Sequence, residues 1–120
     1  MKKILLLTVA LALCSVSAAS AARIRVRVQN FTFQPATINA HVGDVIIWRF
    51  VNGMHTTTST SIPAGAQPWN APIDAAHPQF RYRIQVAGSY QYRCNFHVNQ
   101  GMVGTIMVSP TSPGGSTATH

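Results

Sequence analysis

From residue 22 to residue 109 apolar and polar side chains alternate in short runs, and no segment holds a helical period long enough for a packed helix, which confines the chain to sheet. Ile24, Val26 and Val28 alternate with Arg23, Arg25 and Arg27, so a strand there carries apolar groups on one face and guanidinium groups on the other. The same alternation returns in residues 43–51, with Ile46, Trp48 and Phe50 opposing Arg49 after a turn at His41-Val42-Gly43-Asp44. Phe80, Tyr82, Ile84 and Val86 oppose Arg81, Arg83 and Gln85, and past Ala87-Gly88 the core-facing side resumes with Tyr90, Tyr92 and Cys94. Residues 105–108 make a last strand, with Ile106 and Val108 inward. Several short strands separated by turn signals predict an all-β sandwich or barrel.

Two stretches depart from that pattern. Phe31 and Phe33 continue the first strand with shifted parity, which predicts a bulge near Gln29-Asn30. In residues 59–79, Pro63, Gly65, Pro68, Pro72 and Pro78 would each interrupt a ladder, so a long loop is expected there, plugged onto the sandwich by Trp69.

The flanks do not belong to the sandwich. Lys2 and Lys3 precede an apolar run over residues 4–13 and then Ala19-Ser20-Ala21, the layout of a secretory signal peptide over residues 1–21. The run is shorter than the roughly 20 residues a bilayer span needs, so cleavage before Ala22 is expected rather than an anchor. Leu13 stands where a lipobox takes Gly, Ala or Ser, which argues against lipidation at Cys14. The expected product is a single domain over residues 22–109 with a Ser/Thr/Pro/Gly-rich flexible tail over 110–120, exported to the periplasm or the extracellular space.

Loss of the leader changes two inferences. Seven arginines then face only Asp44 and Asp74, a formal charge of +5, two below the +7 of the whole chain. That balance favours an acidic partner or an anionic surface; without a nucleic-acid motif or aromatic-studded basic stripe, nucleic acid is not expected. Cys94 also becomes the only cysteine, so no internal disulfide is available, and a lone thiol in an oxidising compartment needs burial or a metal.

Cys94, His97 and Met102 fall in one C-x-x-H-x-x-x-x-M segment between the last two strands. Thiolate, imidazole and thioether together select copper, whereas structural zinc sites use four thiolate or imidazole ligands and make little use of thioether. His55 is the best-placed fourth ligand, because it follows the strand of residues 43–51 across the turn Asn52-Gly53-Met54, and loops from distant segments gather at one end of a sandwich. His41 lies at the other end of that strand, His77 in the Pro-rich stretch and His120 at the tail, none with a sulfur neighbour.

These residues resemble the cupredoxin family, in particular the small plastocyanin-like and azurin-like blue-copper proteins, over nearly all of residues 23–109. Besides the ligand segment, Asn30-Phe31-Thr32-Phe33-Gln34-Pro35, Val42-Gly43-Asp44-Val45-Ile46-Ile47-Trp48 and Gly88-Ser89-Tyr90-Gln91-Tyr92-Arg93-Cys94 are similar to family segments in the family's order. The resemblance implies a Greek-key β-sandwich holding one type 1 copper ion that cycles between Cu(I) and Cu(II). His55, Cys94 and His97 would form the trigonal plane, with Met102 axial. It implies a monomeric one-electron carrier with transient redox partners, and His97 as electron port in an apolar patch of Gly53, Met54, Phe96 and Val98. Two positions depart from the family pattern: Phe96 stands where Pro commonly precedes the histidine, and Thr56 where many relatives carry Asn, leaving a hydroxyl to tie the two ligand loops together.

Other functions fit less well. A multicopper oxidase or nitrite reductase needs further copper centres, often with His beside the Cys, whereas Arg93 and Asn95 flank Cys94. A binuclear centre needs a second loop cysteine. Nucleophilic catalysis by Cys94 with His97 lacks an orienting carboxylate. An enzyme is therefore not expected, and the remaining alternative is copper delivery or storage without redox turnover, which can use an identical ligand set.

Overall fold

The computed structural model describes residues 21–110. Apart from Ala21 and Pro110, the expected leader and tail lie outside the described residues. Nine strands follow in chain order: β1 (Arg23–Gln29), β2 (Thr32–Gln34), β3 (Thr37–His41), β4 (Val45–Phe50), β5 (His55–Ser61), β6 (Asn70–Ile73), β7 (Gln79–Arg83), β8 (Gly88–Arg93) and β9 (Val103–Ser109). A 3-10 turn at Val98–Gln100 is the only helical segment among the described residues. One sheet has the order β2-β1-β4-β7 and the other β3-β9-β8-β5-β6. Each contains one parallel pair, β1 with β4 and β3 with β9, and the remaining pairs are antiparallel. The fold is the expected Greek-key β-sandwich.

The alternation places the core as the sequence predicts. Val26, Val28, Ile46, Trp48, Tyr90 and Ile106 are wholly inaccessible, while Arg23, Arg25, Arg27 and Arg49 are exposed. Trp48 sits between Trp69 and Tyr92, with ring centroids 5.5 and 5.2 Å away. Aromatic pairs of this kind add about 0.5–1.5 kcal/mol each beyond their buried area.

Two expectations need correction. The parity slip at Phe31 is a hairpin turn and not a bulge: Asn30 and Phe31 form the turn, Val28 pairs with Phe33 across it, and β1 ends at Gln29. Phe33 is buried and Phe31 turns out to solvent. Residues 59–79 are likewise not one loop, because β5 runs on to Ser61 and β6 lies within the stretch. β6 is an edge strand with Pro72 opposite Thr56, and an edge is where a proline's missing N–H costs a sheet least. Trp69 does plug this stretch onto the core. It is buried, its indole N–H donates to Thr57 Oγ1 at 3.0 Å, and its backbone N–H donates to Ser59 Oγ at 2.9 Å.

The turn before β4 forms at Gly43, whose φ of 98° suits glycine. The buried carboxylate of Asp44 closes this end, accepting the backbone N–H groups of Ala22 and His41, each at 2.9 Å. His41 precedes β4 and His55 follows it, so β4 separates the two histidines by its length.

Candidate metal centre

Past β4, Asn52, Gly53 and Met54 turn the chain back into β5, whose first residue is His55. Gly53 has φ +84°, and a Cβ there would collide with the Asn30 side chain and press on the His55 ring, so the turn needs glycine on both grounds. Asn52 serves the turn twice. Its side-chain oxygen accepts the Asn30 backbone N–H at 2.8 Å, and its carbonyl accepts from His55 Nε2 at 2.7 Å. A carbonyl only accepts, so Nε2 carries the proton and Nδ1 keeps its lone pair. His55 is wholly inaccessible, and burial holds its pKa below the ordinary histidine value; the Asn52 contact opposes this and the nearby His97 adds to it.

Cys94 continues the buried parity of Tyr90 and Tyr92 one residue past β8, which delivers its sulfur to the core side. The next loop folds back on backbone hydrogen bonds: His97 N–H to Cys94 O at 3.3 Å, Met102 N–H to His97 O at 3.2 Å, and Cys94 N–H to Met102 O at 3.0 Å. Gly101, at φ 80°, closes the 3-10 turn and sends Met102 inward, where it is wholly buried. Across the two loops the Asn95 N–H donates to Thr56 Oγ1 at 2.9 Å, so a hydroxyl does make the tie expected at that position.

Three donor atoms converge here. Cys94 Sγ lies 3.7 Å from His55 Nδ1 and 3.5 Å from His97 Nδ1, and the two Nδ1 atoms are 3.2 Å apart. Among the described residues this is the only group of three or more His, Cys, Asp or Glu side chains placed to hold a metal ion. A buried imidazole lone pair aimed at a second imidazole nitrogen and a thiol is an arrangement a cation resolves. Two nitrogens and a thiol, with a buried thioether in the same loop and no carboxylate, match copper rather than zinc, calcium or magnesium.

The other histidines stand apart. His77 Nδ1 lies 2.9 Å from Asp74 Oδ1, and His41 Nδ1 lies 3.8 Å from Asp44 Oδ2. His120 is outside the described residues. Of the expected apolar patch, Met54 and Phe96 are 61% and 58% exposed and Phe96 stands beside half-buried His97, whereas Val98 is half-buried and lines a cleft with Arg93 and Val103. Sequence reasoning missed Phe31, which is 49% exposed and packs edge-on to the His97 ring at 4.8 Å. The parity slip was the available signal, since a side chain expelled from strand alternation has to point elsewhere.

A sandwich end carrying two imidazoles, a thiol and a thioether defines a protein built for type 1 copper. The sequence profile of the copper binding proteins of the plastocyanin/azurin family matches residues 20–109, and the chain belongs to that family. Among solved structures it is similar to a pseudoazurin from Sinorhizobium meliloti, at 28% identity and a TM-score of 0.67, covering 75% of this chain and 76% of that one. It shares its fold with the plastocyanin of Dryopteris crassirhizoma, at 24% identity and a TM-score of 0.60, covering 71% of this chain and 99% of that one. An amicyanin variant in its reduced state gives 21% identity and a TM-score of 0.62 over 79% of this chain and 97% of that one. A search of curated protein sequences gives no match.

Proposed function

We propose that residues 22–109 are the working domain of an exported one-electron carrier whose copper is held by His55, Cys94 and His97, with Met102 as the weak fourth ligand. The observation that carries this reading is the convergence of both Nδ1 atoms on Cys94 Sγ, within 3.7 Å, with the His55 ring and the two ligand loops held by their own hydrogen bonds. Bound copper supplies a Cu(I)/Cu(II) couple. The protein's own part is to hold the donors still. Asn52 orients the His55 ring, Thr56 ties the ligand loops together, and β5, β8 and β9, neighbours in one sheet, fix the segments that bear them. A frame that barely moves between oxidation states keeps the reorganisation energy of electron exchange small.

Phe31 and Phe96 stand beside the His97 ring and, with Met54 next to His55 in the chain, expose apolar surface that suits brief docking of redox partners through a small interface. The test is to add Cu(II) to the purified chain beginning at Ala22 and record its visible spectrum and redox titration. The expected result is an intense thiolate-to-copper absorption, abolished in Cys94→Ser, with reversible cycling. A colourless copper complex, or one that does not cycle, favours delivery or storage instead.

A further inference from the structure

The outer face of the β2-β1-β4-β7 sheet is a grid of arginine. Arg23, Arg25 and Arg27 of β1, Arg49 of β4, and Arg81 and Arg83 of β7 are all exposed. The register arranges them in three rows: Arg23 and Arg83 flank Val45, Arg25 and Arg81 flank Ile47, and Arg27 lies directly opposite Arg49. With strands about 5 Å apart and same-face residues about 7 Å apart along each strand, the rows span an area of about 10 by 14 Å between Cα atoms.

The chain does not neutralise this face. Its two carboxylates are engaged elsewhere, Asp44 on the N–H groups of Ala22 and His41, and Asp74 on His77. Arg27 and Arg49 sit side by side across the parallel pair of β1 and β4, so their like charges repel with no carboxylate nearby to offset them.

We propose that this face binds an anionic membrane surface. A protein interface pairs its arginines with buried aromatic anchors, and the three rows carry no exposed aromatic or large apolar side chain. Ile47, at their centre, is only 3% exposed between Arg25 and Arg81, whose long stems can cover it. The exposed large apolar side chains lie outside the rows, the nearest being Val51, one residue past β4. A dense array of guanidinium groups matches an array of phosphates, each able to accept two parallel hydrogen bonds from one arginine. β1 and β4 run side by side toward the end that carries Asn52 and His55. A sandwich lying on this face therefore keeps the patch of Phe31, Met54 and Phe96 directed along the membrane, open to a partner in the same plane.

The test is flotation with vesicles of phosphatidylcholine alone or with about 30% phosphatidylglycerol, using the chain from Ala22, which retains the whole sandwich. The expected result is capture by the anionic vesicles at about 50 mM salt, at least about tenfold weaker capture by the neutral ones, and release at about 500 mM. Copper-free and copper-loaded protein should behave alike, so the outcome is independent of the ligand assignment. The triple variant Arg25→Gln, Arg49→Gln, Arg81→Gln should lose at least about tenfold in capture, and the matching triple Arg→Lys variant should retain most of it. Arg93→Gln, on β8 of the other sheet, should change capture less than about twofold. Equal capture by both vesicles, or an unaffected Gln triple variant with an unaltered melting temperature, overturns the proposal. Tighter capture by soluble polyglutamate or duplex DNA at the same salt also overturns it, in favour of an acidic protein or a nucleic acid.

Discussion

The two ends of the sandwich both carry histidine, and they use it differently. At the Gly43 end His41 stands near Asp44; His77 pairs with Asp74 just past Ile73, which lies opposite His55, so each of these two rings has a carboxylate to answer it wherever it lies. Asp74 is held below the usual carboxylate range, first by its hydrogen bond with the His77 side chain, although both groups are open to water and such a pair adds little to stability. At the other end His55 and His97 face one another across a thiol, with no acidic group between them. What separates a ligand histidine from a structural one is therefore whether the protein itself completes its contacts. Burial sharpens the contrast, since His55 has no access to water that could complete them instead.

The largest test of this contrast is a pair of substitutions. His55→Gln should weaken copper binding by at least about 100-fold and abolish the visible band, because ligand loss should exceed the 10–100-fold typical for a partner of a ligand. His77→Gln should leave affinity within about twofold; equal losses in a competition titration with a chelator would erase the distinction. A finer cut leaves every ligand in place and removes only the tie between the loops. Thr56→Val strands the Asn95 N–H and should cost about 1 kcal/mol in urea denaturation of the copper-free protein, while Thr56→Ser should restore most of it.

The smallest expected effect is a pH slope. Because burial lowers the His55 pKa, the unfolded chain takes up that proton before the folded one does as pH falls. Its contribution to stability is full above the ordinary histidine value of about 6.5 and is lost as pH drops toward the folded value. Melting of the copper-free protein between about pH 7.5 and pH 5.5 should show that decline, and His55→Gln should flatten it. A slope unchanged by the substitution assigns the effect to another group.

Much of this was readable before any coordinates. Strand parity put Tyr90, Tyr92 and Cys94 on one buried side, and the spacing from Cys94 to Met102 grouped the soft donors, because both signals are local and periodic. His55 required the further step of placing two remote loops at one end of a sandwich. The misses have a shared cause. β6 contains Pro72 and too few residues to display alternation, so it exists through its pairing with β5 and not through its own propensity. Phe31 reads as a strand residue because its parity slip fits a bulge as well as a turn, and only the pairing of Val28 with Phe33 shows that Asn30 and Phe31 turn the chain between β1 and β2. The arginine grid was visible as alternation along each strand, but its density arises only from the register that sets β1 and β7 on either side of β4.

The pairing of β3 with β9 sets an order of events. Thr37 lies beside Thr105 and His41 beside Ser109, so β3 lacks its neighbour in the sheet until the last strand has emerged. Cys94 precedes that strand, and its cover includes Met102 and the backbone bond that Met102 accepts. As the chain is synthesised the thiol is thus among the last groups to be shielded. The interval between its emergence and the docking of β9 is when an oxidant, or a stray metal, has its best access to it.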